Sequence, residues 1–314
     1  MTSGRAQYCG RFAPSPTGPL HAGSLFAAVA SYLDARARGG RWLVRIEDLD
    51  VAREVPGAAS EILATLSALA LHWDGEIVYQ SSRSDRYELA LKQLIEQGLV
   101  YPCSCSRAAI ARIVGPASPG SELRYPGTCR DGPLRQSGPH AWRLRVPSGE
   151  ITYIDELQGV QSIDVLRTTG DFVLKRRDGP FAYQLAVVVD DAECGITHVV
   201  RGADLLDNTQ RQILLHRALG LPTPHYAHVA LLVDARGAKL AKSTQAPAID
   251  RERPTETLWN TLHAMRQAPP LGLRNARPET LLEWATERWS LTSLSGLSRL
   301  SLRESRLGKI PGIG

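Results

Sequence analysis

The alternation of apolar and polar positions divides the chain into strand-like and helical stretches. Residues 8–12, Tyr-Cys-Gly-Arg-Phe, read as a short strand. A Pro/Gly loop follows over residues 13–19. From residue 20 to about residue 38 apolar side chains recur at Leu25, Val29, Tyr32 and Leu33, the spacing of one helix face. Gly39 and Gly40 stop that helix, and residues 41–46 are strand-like again. Strand, loop, helix, strand is a βαβ unit, which predicts a parallel sheet. Residues 58–70, 83–97 and 208–219 read as helices, 141–165 as short strands, and 228–233 as one more strand. Two apolar runs, residues 185–189 and 196–200, suit buried strands. Residues 113–140 are rich in Gly, Pro and Ser with little periodicity, so they form a loop or are held by another device. Residues 258–265 and 280–289 look like short helices, and the last fifteen residues have no sustained pattern, as in a poorly ordered tail.

Composition narrows this picture modestly. With 314 residues, 43% hydrophobic and 22% charged, the chain is an ordinary globular sequence with enough apolar material for a sizeable core. Its longest apolar runs fall far short of the ~20 residues a membrane span needs. The N-terminal stretch lacks the apolar core and cleavage site of a signal peptide. A cytoplasmic protein with no membrane partner is expected, and a monomer is assumed. A net charge of +5 permits a nucleic-acid partner without demanding one. Residues 251–314 hold nine Arg and one Lys against six Glu, which makes that region a candidate for contact with an anionic partner or simply a solvated surface. The five cysteines are Cys9, Cys103, Cys105, Cys129 and Cys194. An odd count argues against a disulfide framework. Cys9 and Cys194 sit in apolar, strand-like contexts and read as core. The other three fall close together and read as a metal site.

Two segments carry chemistry. Residues 11–24, Arg-Phe-Ala-Pro-Ser-Pro-Thr-Gly-Pro-Leu-His-Ala-Gly-Ser, put a His and a Gly-Ser pair at the start of a helix that follows a strand. A helix N-terminus presents free N–H groups and the positive end of a dipole, which suits phosphate. His21 can reach a phosphate oxygen, and Gly23 lets a base or ribose approach the backbone. A helix-capping loop with a structural His is the bland alternative. Residues 239–243, Lys-Leu-Ala-Lys-Ser, follow a Gly turn and make a cationic loop suited to polyphosphate, although lysine pairs in loops are common.

Taken together, the order and wording of these segments resemble the HIGH and KMSKS signatures of class I aminoacyl-tRNA synthetases. His21-Ala-Gly-Ser24 stands for the first and Lys239-Leu-Ala-Lys-Ser243 for the second. Ser24 replaces the final His of the first, and the second has lost its Met and first Ser. The flanks Arg45-Ile-Glu-Asp-Leu-Asp50 and Val189-Asp-Asp-Ala-Glu-Cys-Gly-Ile-Thr-His-Val-Val-Arg-Gly-Ala-Asp204 look like the glutamyl branch of that class. Within the branch, the chain most resembles the short glutamyl-Q tRNA(Asp) synthetases, since about seventy residues after the lysine loop are too few for a helical anticodon-binding module. The resemblance covers residues 11–243. It implies an α/β fold: a Rossmann-type parallel-sheet catalytic domain over residues 1–100 and 166–243, a zinc-bearing insertion at 101–165, a helical C-terminal region at 244–298, and a tail at 299–314.

The resemblance also implies an activity, in which ATP activates L-glutamate as an adenylate and the glutamate passes to the queuosine base of tRNA(Asp). For the glutamate side-chain carboxylate, Arg11 and Arg201 are the guanidinium candidates. For its ammonium group, Glu47 fits, at the carboxyl end of a strand. Phe12, Ala13, Pro14, Ser15 and Tyr183 match substrate-contact positions of the family. A structural Arg11–Glu47 ion pair and a core Tyr183 are the alternatives. For ATP, the resemblance implies His21, Gly23, Ser24, Lys239, Lys242 and Ser243, with His21 and Lys242 catalytic and Mg²⁺ carried mainly by the phosphates. Cys103, Cys105 and Cys129 supply three soft ligands for a structural Zn²⁺. The family points to Tyr125 as the fourth ligand, and His140 or a water is the conventional choice. Two other readings are a truncated glutamyl-tRNA synthetase that charges a tRNA 3′ end and a non-catalytic paralogue that binds tRNA or nucleotide.

Overall fold

The computed structural model describes residues 7–116, 122–233 and 249–301. The chain opens on β1 (Cys9–Phe12), α1 (Ala22–Ala37) and β2 (Arg41–Ile46). β1 and β2 pair in parallel, as the βαβ pattern requires. α2 (Ala58–Ala68) returns the chain to β3 (Val78–Tyr79), which pairs in parallel with β2. α3 (Ser84–Glu96) and β4 (Val100–Cys103) follow. Next comes α4 (Arg107–Val114), a helix that no periodicity marked because only Ile110 of its eight residues is buried. The Ser106 hydroxyl starts it by accepting from the Ala109 N–H at 3.1 Å. Beyond α4, no helix or strand occurs up to residue 140 among the described residues, in keeping with the Gly/Pro-rich sequence.

β5 (Ala141–Leu144), the hairpin of β6 (Ile151–Asp155) and β7 (Gly159–Ile163), the short α5 (Val165–Thr168) and β8 (Val173–Lys175) come next. β4, β5 and β8 make one antiparallel sheet. The 185–189 run then departs from expectation: it lies in α6 (Tyr183–Glu193), not in a strand. Every residue from Gln184 to Asp191 is buried, because α6 packs against α3, against β8 and against α7 (Thr209–Leu219). A helix covered on all sides carries an unbroken apolar run, which composition cannot tell from a buried strand. Cys194 is accordingly the half-buried C-cap of α6, while Cys9 lies buried in β1 as expected.

The 196–200 run does enter a strand, β9 (His198–Gly202). The strand expected at 228–233 is two: β10 (His225–Val229), and β11 (Leu231–Val233) after a break at Ala230. β10 pairs in parallel with both β9 and β6, so the β6–β7 hairpin extends the parallel sheet. Thr197 links β9 to β1: its N–H donates to Cys9 O at 2.9 Å and its hydroxyl accepts from Cys9 N at 2.8 Å. α8 (Pro254–Ala264) and α9 (Pro278–Glu287) pack on α1, where Trp289 Nε1 donates to Asp34 Oδ1 at 3.2 Å. β12 (Arg299–Ser301), at the head of the expected tail, pairs with β11. Among the described residues no helix is long and apolar enough to cross a membrane.

Candidate active site

A cavity of about 500 Å³ opens at the carboxyl ends of β1, β2 and β9, where open parallel sheets bind ligands. The residues expected for glutamate all line it: Arg11 to Ser15, Glu47, Tyr183 and Arg201. So do His21, Gly23 and Ser24, the described part of the set expected for ATP. Lys239, Lys242 and Ser243 lie outside the described residues. The 13–19 loop is tied to the segment after β2 by Glu47 N–H to Pro14 O at 3.0 Å and Val55 N–H to Pro16 O at 2.9 Å. That stitching fixes one wall of the cavity.

His21 does act as a helix cap, and the cap settles its chemistry. Its Nδ1 accepts from the N–H groups of Gly23 at 3.1 Å and Ser24 at 3.3 Å. The Ser24 hydroxyl accepts from His21 N at 2.9 Å, completing a capping box. With Nδ1 an acceptor, the ring proton belongs on Nε2, which makes His21 a donor at a helix N-terminus. A serine in this position is therefore a structural part of the loop's start into α1.

Arg11 and Glu47 do not pair with each other within 4.0 Å. Instead four charges alternate, with Arg11, Asp191 and Arg45 buried and Glu47 half-buried. Arg11 Nε lies 3.3 Å from Asp191 Oδ1, Asp191 Oδ1 lies 2.7 Å from Arg45 Nη1, and Arg45 Nη2 lies 3.2 Å from Glu47 Oε1. Burial would raise the Asp191 carboxyl, but Arg45 and Arg11 hold it below the usual range. Burial wins at Glu47 and pushes its carboxyl up against the pull of Arg45 and Arg11. Glu47 is thus an under-compensated carboxylate facing a cavity, a place for a cation. The motifs give Arg45 and Asp191 no role, although each places a charge inside or directly after an apolar run, Trp-Leu-Val-Arg-Ile and Val-Val-Val-Asp-Asp.

Arg201 contrasts with Arg11. It is 5% exposed, yet no carboxylate lies within 4.0 Å of its guanidinium among the described residues. Its Nε donates to His228 Nε2 at 3.0 Å, and Nη2 donates to Thr209 Oγ1 at 3.0 Å and Leu205 O at 3.4 Å. Nη1 meets the Tyr183 hydroxyl at 3.3 Å. A buried guanidinium surrounded by neutral acceptors is an anion site. Tyr183 is therefore part of the cavity wall as well as of the core.

The three cysteines expected to hold a metal also come together. The Sγ atoms of Cys103, Cys105 and Cys129 lie within 4.8 Å of one another and can hold a metal ion. Cys105 and Cys129 Sγ are 3.5 Å apart; a tetrahedral ion with bonds of roughly 2.3 Å to sulfur spaces its ligands by about 3.8 Å. The Tyr125 hydroxyl lies 3.3 Å from Cys103 Sγ and 3.8 Å from Cys105 Sγ, so the donor set closes on it. His140 is elsewhere, with Nε2 2.8 Å from Arg135 O. Burial opposes ionisation of Cys129, but N–H groups of Leu134 and Ser104 bring its thiol down to about 6. Among the described residues, the buried core here is Tyr101, Cys103, Ile110, Tyr125 and Cys129, so three of the four candidate ligands make up most of it.

Residues 9–266 match the family model described as tRNA synthetases class I (E and Q), catalytic domain. The chain is similar to a glutamyl-Q tRNA(Asp) synthetase of Thiobacillus denitrificans, 53% identical over 91% of this chain and 94% of that one. A second, from Dechloromonas aromatica, is 50% identical over 94% of this chain and 98% of its own. Among solved structures, a glutamate tRNA ligase from Elizabethkingia meningosepticum in complex with its amino acid superposes with a TM-score of 0.77 at 25% identity. That match covers 95% of this chain and 68% of that one.

Proposed function

The chain belongs to the glutamyl-Q tRNA(Asp) synthetases, within the class I tRNA synthetases (E and Q), and from that premise we propose that it activates L-glutamate with ATP and passes it to the queuosine base of tRNA(Asp). The observation that carries this reading is Arg201, a buried guanidinium with no carboxylate within 4.0 Å among the described residues, sharing one cavity with the under-compensated Glu47 and the N-terminus of α1. In this reading Arg201 holds the substrate's side-chain carboxylate, with Arg11, Tyr183 and the 12–15 backbone lining its path. Glu47 takes the ammonium group. His21 and the first turn of α1, with Gly23 and Ser24, meet the ATP phosphates. Lys239, Lys242 and Ser243 are assigned to ATP on the family resemblance.

The substrate's α-carboxylate oxygen attacks the α-phosphorus of ATP, the α–β phosphate bond breaks, and pyrophosphate leaves. That carboxylate is already ionised, so no side chain need act as a base. The protein's part is to align the reactants and to answer charge on the leaving group. Class I synthetases use ATP with Mg²⁺, which supplies charge neutralisation on the phosphates. Cys103, Cys105, Cys129 and Tyr125 would hold one structural Zn²⁺. The division into a body (residues 1–100 and 166–243), an insertion (101–165), a C-terminal region (244–298) and a tail is part of the same proposal, as are a monomeric state and a cytoplasmic location.

Pyrophosphate exchange with glutamate, ATP and no tRNA tests the first step, and labelled glutamate with queuosine-containing or queuosine-lacking tRNA(Asp) tests the second. Exchange without tRNA, then label only on the queuosine-containing tRNA, is expected. Equal labelling of both tRNAs would overturn the acceptor, and absence of exchange under every condition would overturn the activation. One equivalent of zinc in the purified protein is expected; less than about half an equivalent would count against the metal.

A further inference from the structure

Behind Arg201 lies a pair of buried side chains that neither the sequence motifs nor the family match marks. His228, on β10, is fully buried, and so is Asp155 at the end of β6. Asp155 Oδ2 sits 2.6 Å from His228 Nδ1. The other oxygen, Oδ1, accepts three backbone N–H groups: Leu157 at 3.0 Å, Gln158 at 2.9 Å and His228 at 3.1 Å. The carboxylate therefore cannot rotate, and Oδ2 is committed to the imidazole. An acceptor at Nδ1 keeps the ring proton there. Nε2 then carries a lone pair, and the Arg201 Nε–H points at it from 3.0 Å.

We infer that Asp155 and His228 are positioning residues for glutamate recognition, holding Arg201 by fixing the imidazole as the tautomer that accepts from its Nε. The inference rests on the reading that Arg201 binds the substrate carboxylate. With Nε and Nη2 engaged by the protein, the guanidinium keeps one orientation and Nη1 is left toward Tyr183 and the cavity. The wrong tautomer would set an Nε2–H against the Arg201 Nε–H, two donors facing each other, and turn the guanidinium away. The arrangement makes substrate affinity depend on β6, a strand that contributes no residue to the cavity lining.

Asp155→Asn is the discriminating variant. The three N–H groups hold the amide oxygen in the Oδ1 place, so its NH₂ faces Nδ1 and the ring must carry its proton on Nε2. The glutamate KM in pyrophosphate exchange should rise about ten- to hundredfold, the scale of a lost hydrogen bond to a charged group, while the ATP KM holds. His228→Ala should behave alike, and His228→Gln, which offers an oxygen near the Nε2 place, should recover much of the loss. In the unmutated protein, ¹⁵N NMR should place the His228 proton on Nδ1; a proton on Nε2 overturns the proposal whether or not any variant folds. A glutamate KM raised by Arg201→Ala but untouched by Asp155→Asn overturns it alone. An unchanged KM in Arg201→Ala overturns the reading of Arg201 and this proposal with it.

Discussion

Arg45 illustrates how much of this site depends on a side chain with no ligand to hold. Its guanidinium spans Asp191 at 2.7 Å and Glu47 at 3.2 Å, with Asp190 at 3.8 Å. Removing it strands buried carboxylates, which costs far more than any exposed pair. Arg45→Leu should lower unfolding stability by roughly 3–5 kcal/mol in urea; a loss under about 1 kcal/mol would mean that water or a neighbour compensates. His228 gives a pH signature at the same scale. Burial lowers its proton affinity, outweighing the Asp155 hydrogen bond, and brings it from 6.5 to about 4, with Arg201 opposing protonation as well. Between those values the unfolded chain binds a proton that the folded chain does not. Stability should therefore fall as pH drops from about 6.5 to about 4, by about 1.4 kcal/mol per pH unit for this one site. The groups around the ring are Asp155 from β6, Arg201 from β9, Thr209 from α7, and Tyr226 on its own strand. Comparison with His228→Gln cancels the other titrating groups, His198 included. Parallel stability–pH curves for the two proteins would contradict the assignment.

At the scale of elements, legibility followed locality. β1, the 13–19 loop and α1 lie together in sequence, so their pattern and their chemistry could be read in one pass, and Ser24 as a cap is the only addition. α6 was misread because burial on every side erased the one-faced pattern that marks a helix. The Arg201 support was not legible at all: Asp155 and His228 stand 73 residues apart and meet only because β6 pairs with β10. The cysteine cluster was legible in its donors, but what presses Tyr125 into place was not. Gly170, after α5, has φ +74°, and a Cβ there would stand 2.2 Å from Tyr125 O. Both the backbone conformation and the space exclude a side chain. Gly170→Ala should push the Tyr125 backbone off the cluster and reduce bound metal well below one equivalent. Metal content equal to the unmutated protein would show that the cluster forms without this contact.

Across the whole molecule, the cavity and the cysteine cluster draw on different cores. The cavity is lined from β1, α1, β2, α6, β9 and β11 with their loops, and these belong to the two large apolar clusters. Of the proposed metal ligands, Cys103, Tyr125 and Cys129 are among the five buried residues of a third cluster and Cys105 packs against it, and no described residue from 101 to 165 appears in the cavity lining. The third cluster is joined to the rest through the β4–β5–β8 sheet, with Tyr101 hydroxyl to Asp171 at 2.7 Å and Tyr125 N–H to Thr169 O at 2.9 Å as further ties. So small a core gives a Gly/Pro-rich segment little to offset its ordering entropy, and in the proposed reading a bound ion supplies much of the difference. Chelating the metal should therefore loosen this segment without dismantling the cavity. Thermal unfolding of the chelated protein should show an early, small transition ahead of the main one. Pyrophosphate exchange without tRNA should keep most of its rate, since no described residue of this segment lines the cavity. A single transition shifted downward together with exchange would mean that the three clusters unfold as one, and that the metal supports the cavity itself.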